Sequence, residues 1–305
     1  MTDPTTEALQ TMPPLSEAQT LVAQLQAHPQ PFDPDALHTE LARLQALLTS
    51  AAEQGSGTDN AEAEYLRAEL DRVISDTATF TSVMVHEVRK PMTSIRGYAD
   101  MLAKPDLIGP LNDMQKQFMD IIRNNVLSME ALVTDISDLN KITSGRMKLD
   151  SKMTTFGQVI MDAQKQTEAL IAKYGHQVSW DIPQGLPILT TDSKQLAKVI
   201  IKFVQNAFQY TPPGAGQITI SAAPTESKAL QVTISDNGIG MKPEEVARLG
   251  EPFFRADHEL VTSQKGYGLG IPVAFGLLRM MDTTAEIESA PDAGTTIRFL
   301  IAGMG

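Results

Sequence analysis

One histidine in a long helical pattern, His86, is the first residue of the sequence that could carry chemistry. It lies two residues from both Met84 and Val88, which the spacing of apolar residues assigns to a packed face. At about 100° per residue, two steps place His86 roughly 200° away, so we expect it to face solvent. An exposed histidine usually means nothing by itself. Here Glu87 follows directly, and its carboxylate can hydrogen-bond the imidazole or take its proton.

Two glycine-rich segments further along the chain have the character of ligand-binding turns. Asp236–Met241 (DNGIGM) directly follows a strand-like run, and the glycines at 238 and 240 allow a tight turn and close approach of the backbone to a ligand. The Asp236 carboxylate could accept a hydrogen bond from an exocyclic amine. Gly266–Ile271 (GYGLGI) opens a helix, where exposed amide N–H groups favour an anion such as phosphate.

A helix predicted over Ser193–Tyr210, with Asp192 as its N-cap, carries a polar stripe beside an apolar face. The stripe could line a nucleotide pocket, with an oxygen of Asn206 available to Mg²⁺. A Phe-Phe pair in Glu251–Arg255 (EPFFR) stands between the two glycine-rich segments. Each element alone is usually architecture, but the order and spacing of all four are specific. The members of the polar stripe are Lys202, Asn206 and Gln209.

The elements that must position these residues begin with a helical hairpin. Apolar spacing predicts one long helix over Ala61–Lys104, a turn rich in Gly and Pro, and a second helix over Leu111–Thr143 with Phe118, Ile122 and Met129 inside. Pro91 lies within the first helix, where a proline costs ~3 kcal/mol and should kink or loosen the helix beside His86. Two such helices cannot bury both apolar faces alone, and a homodimeric four-helix bundle would bury them.

After Gly145, strand-like and helical runs alternate, which is typical of a sheet covered by helices. We therefore expect a helical or partly disordered extension at residues 1–60, a hairpin at 61–145 and an α/β domain at 150–303. The predicted strands are Gln177–Ile182, Gln217–Ala222, Leu230–Ser235, Glu286–Ser289 and Thr295–Ile301, and the predicted helices are Gly157–Tyr174, Ser193–Tyr210 and Gly270–Met281.

Composition excludes several classes of function. The formal net charge of -12 argues against nucleic-acid binding, because phosphate backbones are met by clustered Lys and Arg. The chain has no cysteine, which excludes disulfides, thiolate metal sites and cysteine nucleophiles. No stretch approaches the roughly 20 apolar residues of a membrane-spanning helix, and the N-terminus is wrong for a secretory signal. We expect a cytoplasmic protein, to which a separate sensor or membrane partner would have to carry any signal from outside.

In their order and spacing, these motifs resemble those of the bacterial sensor histidine kinases of two-component signalling. The likeness runs from about residue 65 to 302. It implies a HisKA-type dimerisation hairpin followed by an α/β sandwich of the GHKL ATPase type. His86–Pro91 (HEVRKP) looks like the phospho-acceptor box, Lys202–Tyr210 like the N box, and Asp236–Gly240, Pro252–Phe254 and Gly266–Gly270 like the G1, F and G2 boxes.

The resemblance implies autophosphorylation with ATP and Mg²⁺, then phosphoryl transfer to an aspartate on the receiver domain of a separate response regulator. His86 would be the nucleophile, and Glu87 would stabilise or deprotonate its other ring nitrogen, in a transfer that depends on positioning and charge neutralisation. Asp236 would bind adenine, and Asn206 would bind Mg²⁺. The residues assigned in this way to the nucleotide are Lys202, Asn206, Gln209, Tyr210, Asp236, Gly238, Gly240, Phe253, Phe254, Arg255, Gly266, Gly268, Leu269 and Gly270.

Three positions depart from the usual pattern of the family. One turn before Asn206 the family usually has asparagine and this chain has Lys202, and three residues after it the usual lysine is Gln209. The two positions lie about 10.5 Å apart along a helix, so we hypothesise that Lys202 neutralises phosphate charge from a new place. Lys90 replaces the Thr or Asn that serves regulator dephosphorylation in relatives. The sequence therefore favours kinase over phosphatase activity.

Two other functions stay open at this point. A degenerate kinase could dimerise and hold nucleotide as a scaffold without transferring phosphate. The changes at Lys202 and Gln209 favour that function, while the intact His86-Glu87 pair opposes it. The second is a different ATPase on the same fold, such as the gyrase, chaperone or mismatch-repair relatives. The hairpin with His86 just before the nucleotide domain argues against it.

Overall fold

The computed structural model of the protein describes residues 57–303, apart from 105, 107, 108, 213, 215 and 265. The extension predicted for residues 1–60 lies outside the described residues, except for its last four positions. The chain divides into two units between Val83 and Met84, and the described part of the first unit is helical. Among the described residues, no helix combines the length and the apolar character that a bilayer crossing needs.

Two long helices form the predicted hairpin. Helix α1 spans Gly57–Leu102 and helix α2 spans Asp113–Thr143. Helix α2 begins at a capping box: the Asn112 side chain accepts from the Gln115 amide, and the Gln115 side chain accepts from the Asn112 amide, at 2.9 Å each. Such a reciprocal cap supplies partners to N–H groups that a helix start leaves unpaired. It fixes the start of α2 two residues after the predicted one.

The buried face of the hairpin differs from the predicted one. The stripe predicted through Met84 and Val88 is wrong for the single chain, because these side chains are 48% and 36% exposed. The helix carries two apolar faces, and periodicity alone does not say which of them meets the other helix of the same chain. Val85 and Met92 are buried instead, in a seven-residue repeat with Ala99, which the predicted stripe also contained. On α2 the buried residues of the hairpin include Val126 and Val133.

A second apolar face of the hairpin is exposed in the single chain. It includes Phe118, Ile122 and Met129, which the sequence placed inside. An exposed apolar face of this kind usually marks an interaction site. We assign to this face Met84, Val88, Ile95 and Leu102 on α1, and Met114, Phe118, Ile122 and Met129 on α2, all of them exposed.

Helix α1 does not end at Pro91, but continues for 11 more residues to Leu102. Proline has no N–H to donate to the carbonyl four residues before it, which here belongs to Glu87. The local loosening predicted beside His86 therefore consists of one missing backbone hydrogen bond within an unbroken helix.

The chain after the hairpin folds into an α/β sandwich, as predicted. Its elements are β1 Lys152–Thr155, α3 Phe156–Tyr174, β2 Gln177–Asp181, β3 Ile188–Thr191, α4 Ser193–Tyr210, β4 Gln217–Pro224, β5 Leu230–Asp236, α5 Pro243–Arg248, α6 Glu259–Ser263, α7 Gly270–Met280, β6 Ala285–Ser289 and β7 Thr295–Ile301. Five strands form a sheet in the order β2-β4-β5-β7-β6, in which only the β2–β4 pair is parallel, while β1 and β3 pair separately. The sequence missed β1, β3, α5 and α6, which have four to six residues each and are too short to show a period.

Helix α4 packs its apolar face into the core of this domain. The predicted cap is confirmed: the Asp192 carboxylate accepts from the backbone amides of Lys194 and Gln195 at 3.1 Å each. Burial of one face leaves the polar stripe of the helix on the other side. The buried residues of α4 are Leu196, Ala197, Val199, Ile200, Ile201, Phe203, Val204, Ala207 and Phe208.

Candidate functional site

A cleft of about 320 Å³ opens beside the polar stripe of α4. All four predicted segments contribute to its lining, although they are far apart in the sequence. Among the residues that were predicted to bind the nucleotide, Gly238 and Phe253 do not line the cleft. Those that do are Lys202, Asn206, Gln209, Tyr210, Asp236, Gly240, Phe254, Arg255, Gly266, Gly268, Leu269 and Gly270.

Asp236 stands at the end of β5 with its carboxylate held by backbone amides. Its Oδ1 atom accepts from Gly238 N at 2.8 Å and from Thr295 N at 3.2 Å, and Oδ2 takes part in neither bond. Burial raises the pKa of Asp236 to about 6, although both hydrogen bonds act in the opposite direction. The two backbone hydrogen bonds to Oδ1 thus orient the carboxylate and leave Oδ2 as an acceptor in a largely buried position.

The glycines of the DNGIGM turn lie against the protein backbone on the side where a Cβ would stand. A Cβ on Gly238 would lie 2.5 Å from the Tyr210 carbonyl oxygen. At Gly240, where φ is +60°, a Cβ would lie 1.8 Å from the Ala290 carbonyl oxygen. Gly238 therefore acts on the site through Asp236, whose carboxylate it binds, and does not itself line the cleft.

Phe253 also supports the cleft from outside. Its backbone has a positive φ of 64°, and its N–H donates to the Gly268 carbonyl at 3.1 Å. A Cβ on Gly268 would lie 2.6 Å from the Phe253 carbonyl carbon, so a side chain at this glycine would force the two loops apart. The neighbouring Phe254 does line the cleft, and the Arg248 guanidinium lies 4.3 Å from its ring centre.

Arg255 ties the segment around α6 to the cleft. Its guanidinium donates to the Val261 carbonyl and, at 2.9 Å, to the Gln264 carbonyl, and it also hydrogen-bonds Tyr210. Burial raises the pKa of Tyr210, against the lowering effect of Arg255. The phenol therefore stays neutral and available as a hydrogen-bond partner at the rim of the cleft.

Helix α7 begins in the cleft wall with Leu269 at its N-cap position and Gly270 as its first residue. Within the part of the chain that the structure describes, no side chain caps this helix start. An uncapped N-terminus directs backbone N–H groups and the positive end of the helix dipole outward, which favours an anion.

Lys202 lies in the cleft but has a partner that the sequence did not suggest. Its ammonium contacts both carboxylate oxygens of Asp135 in α2, at 2.5 and 2.7 Å. Burial raises the pKa of Asp135 in spite of the lowering effect of Lys202. The hairpin contribution to the cleft was missed entirely, because nothing in the spacing of α2 relates it to a distant helix. The hairpin residues that line it are Ser128, Ala131, Leu132 and Asp135.

His86 is exposed, as predicted, with 67% of its side chain accessible. Its Nδ1 lies 3.4 Å from Glu87 Oε1, and Lys90 Nζ contacts the same oxygen at 2.6 Å. The hydrogen bonds from Lys90 first, and from His86 second, hold the pKa of the Glu87 carboxyl below its ordinary value. Neither His86 nor Glu87 lines the cleft, so the structure does not bring the two predicted halves of the chemistry together.

The donor set suits a metal that arrives with its ligand. In residues 57–303, as far as they are described, no three side chains of His, Cys, Asp or Glu cluster as a metal site. Mg²⁺ at nucleotide sites usually takes one or two protein oxygens and completes its shell with phosphates and water. Asn206, which lines the cleft, can supply one such oxygen.

Two family models match the chain. The His Kinase A (phospho-acceptor) domain matches residues 77–145, and the histidine kinase-, DNA gyrase B- and HSP90-like ATPase matches residues 191–302. The first match contains His86 and the second contains the predicted nucleotide residues from Lys202 to Gly270. Together they cover more than half of the chain.

Individual relatives agree with these matches. A Caulobacter vibrioides protein described as "Non-motile and phage-resistance protein" is 30% identical over 226 residues, which is 73% of this chain and 26% of the relative. The histidine protein kinase DivJ of the same species is 27% identical over 234 residues, 77% of this chain and 38% of the relative. The chain thus spans well under half the length of either relative.

The fold is also similar to that of a solved structure, full-length ShkA in complex with AMPPNP. The TM-score is 0.61 at 20% identity, over 74% of this chain and 47% of that one. Because the phospho-acceptor and ATPase models both match, in the order that the motifs predict, the chain belongs to the histidine kinases, with a phospho-acceptor and dimerisation domain followed by an ATP-binding domain.

Proposed function

We propose that this chain phosphorylates itself on His86 with ATP and passes the phosphoryl group to an aspartate on the receiver domain of a separate response regulator. The observation that carries the proposal is the cleft, which gathers polar and glycine residues from four distant segments around Asp236 and Asn206. The exposed His86-Glu87 pair supplies the acceptor. The competing function is that of a dimeric scaffold that binds nucleotide without transferring a phosphoryl group.

The geometry at His86 suggests which ring nitrogen reacts. Glu87 is 3.4 Å from Nδ1, so Nδ1 carries the proton that the carboxylate accepts as a hydrogen bond, and Nε2 holds the free electron pair. Nε2 would attack the γ-phosphorus, forming an N–P bond as the bond to the leaving ADP oxygen breaks. Positive charge developing on the ring is stabilised by Glu87. Positioning and charge neutralisation would supply most of the catalysis.

The cleft residues divide between the two ends of the nucleotide in this proposal. Oδ2 of Asp236 would accept from the adenine amine, and the N-terminus of α7 would receive phosphate oxygens. Asn206 would hold Mg²⁺, which screens the phosphate charge when it is bound. Lys202 would add local positive charge in an otherwise acidic chain.

Domain limits and assembly belong to the same proposal. We place the phosphotransfer hairpin at residues 61–145 and the catalytic domain at 150–303. A homodimeric four-helix bundle would cover the exposed apolar face of the hairpin, which includes Val88, Ile95, Phe118 and Ile122.

Adenosine binding is expected to weaken as the pH falls through about 6. The ionised Asp236 carboxylate is the better acceptor, and with a pKa of about 6 it is mostly protonated at pH 5. If only the ionised form binds, the affinity falls by about tenfold between pH 7.5 and pH 5. Isothermal titration calorimetry with adenosine measures this without interference from phosphate groups.

Protonation of Asp236 does not itself favour unfolding. Its raised pKa means that the folded domain binds the proton more tightly than the unfolded chain does, so protonation of this group stabilises the fold. A flat affinity profile between pH 5 and 7.5 would show that Asp236 does not contact the base.

The test of the whole proposal is incubation of the purified protein with γ-labelled ATP and Mg²⁺. We expect label on the protein that is labile in acid and stable in base, as a phosphoramidate on histidine is. Acid-stable label, or steady ATP hydrolysis without phosphoprotein, would indicate a different ATPase. Absence of label from dimeric protein that binds ATP, with no receiver domain present to remove the label, would indicate the scaffold.

A further inference from the structure

Three contacts on successive turns of α2 join the hairpin to the nucleotide domain. Asp135 pairs with Lys202 at 2.5 and 2.7 Å, and Asp138 pairs with Lys198 at 2.8 Å. At the end of α2, Ile142 lies so close to Gly276 of α7 that a Cβ on the glycine would be 2.9 Å from the Ile142 side chain. The partners belong to α4 and α7, which also line the cleft.

The two ion pairs differ in where they lie. Lys202 and Asp135 both line the cleft, with side chains that are 15% and 13% exposed. Lys198 and Asp138 do not line it. A carboxylate therefore stands inside the cavity that is proposed to receive phosphates, and it takes up the positive charge of Lys202.

Poor solvation makes this charge important. Between groups that are largely removed from water, attraction and repulsion fall off slowly with distance and are weakly screened by salt. Asp135 both neutralises Lys202 and repels an incoming anion. A phosphate that replaces the Asp135 carboxylate as the partner of Lys202 keeps the ammonium paired and leaves Asp135 without a counter-ion.

We propose that Asp135 and the phosphates of the nucleotide compete for Lys202, so that nucleotide binding releases the nucleotide domain from this part of α2. The proposal rests on the proposed function of the cleft as an ATP site, and it assigns a regulatory purpose to the Lys202 substitution. His86 lies outside the cleft, so transfer within one chain requires the cleft to move relative to α1. The Lys202–Asp135 pair opposes that movement until phosphates displace it.

A purely structural ion pair makes a different prediction. Removing one partner of a buried pair usually destabilises the protein and leaves the other charge uncompensated. Such a loss of stability should change the affinity for all ligands alike. Competition for Lys202 instead predicts an effect that grows with the negative charge of the ligand.

The test compares Asp135→Asn with the wild type by calorimetry, using adenosine, ADP and a non-hydrolysable ATP analogue, the last two with Mg²⁺. We expect about tenfold tighter binding of the ATP analogue, a smaller gain for ADP and unchanged binding of adenosine. Asp138→Asn is the matched control, since it makes the same change one turn along α2. Asp138 pairs with Lys198, which belongs to α4 as Lys202 does but lies outside the cleft. This control should raise the affinity for the ATP analogue much less than Asp135→Asn does, because Asp138 and Lys198 lie outside the cleft.

Two outcomes overturn the proposal. If Asp135→Asn leaves the affinity for the ATP analogue unchanged or lowers it, there is no competition. If both variants tighten all three ligands equally, the cause is general loosening of the hairpin. Lys202→Met in the Asp135→Asn background should remove the gain, and persistence of the gain would assign it to another cation.

A second route covers the case in which Asp135→Asn does not fold. Lys202→Met in the wild-type background should weaken the ATP analogue by about tenfold and leave adenosine unchanged. Equal weakening of both ligands would overturn the proposal. All of these are binding measurements, so they do not depend on whether His86 becomes phosphorylated. If the protein is labelled but Asp135→Asn does not tighten binding of the ATP analogue, the proposed kinase function stands and the competition for Lys202 is excluded.

Discussion

Replacement of His86 with glutamine is expected to abolish the acid-labile label while leaving ATP affinity unchanged. Glutamine has a similar reach but no ring nitrogen with a free electron pair, so no N–P bond can form. Affinity should survive because His86 is 67% exposed and lies outside the cleft. Label transfer from γ-labelled ATP and calorimetry with an ATP analogue measure the two quantities on the same preparation.

Two further variants make this result specific. His258→Gln changes another exposed histidine of the same unit, which caps the short helix α6, and it should retain the label. Glu87→Gln removes the proton acceptor but keeps the nucleophile, so its labelling rate should fall by roughly 10²-fold or more without reaching zero. Full labelling of His86→Gln would place the phosphate on another residue.

Replacement of Asp236 with asparagine should weaken ATP binding by about 10- to 100-fold, which corresponds to the loss of a hydrogen bond to a charged group, roughly 1.5–3 kcal/mol. The asparagine oxygen can still accept from Gly238 and Thr295, and this arrangement turns its NH₂ group towards the adenine amine. Two donors then face each other. Calorimetry with the ATP analogue gives the affinity, and thermal unfolding shows whether the domain stays intact.

The base supplies a sharper control for Asp236. Inosine carries an oxygen acceptor where adenosine carries the amine, so Asp236→Asn should bind adenosine more weakly and inosine more tightly than the wild type does. Asp292→Asn makes the same substitution on a nearby exposed turn with φ of 58°, a conformation that asparagine tolerates. It should leave both affinities unchanged. An equal loss for adenosine and inosine would mean a distorted cleft.

The sequence contained most of the local information about the fold. The bounds of α4 and β7 were predicted to the residue, and the cap at Asp192 was recognised, because both depend on neighbours in the chain. Residues of the cleft were found from glycine turns and from the stripe that ends in Gln209. These signals are local, and the resemblance to a family supplied their common purpose.

What the sequence did not contain is which surfaces meet. Periodicity found one apolar stripe on α1, through Met84 and Val88, and it gave no sign that Val85 and Met92 pack within the hairpin instead. It also gave no sign that Lys202 would pair with a carboxylate 67 positions earlier. Contacts of this kind depend on how whole elements pack, which no single segment encodes.

The antiparallel pairing of β5 with β7 sets an order of events during synthesis. Of the residues that this ladder pairs, Asp236 and Thr295 are the nearest in sequence, and they are 59 positions apart. The Thr295 amide also donates to the Asp236 carboxylate and so helps to orient it. Closing so long a loop is slower than forming the neighbouring helices of the hairpin. A growing chain can therefore acquire its hairpin and the proposed phosphate acceptor first, and the proposed adenine site is complete only after Thr295 has left the ribosome.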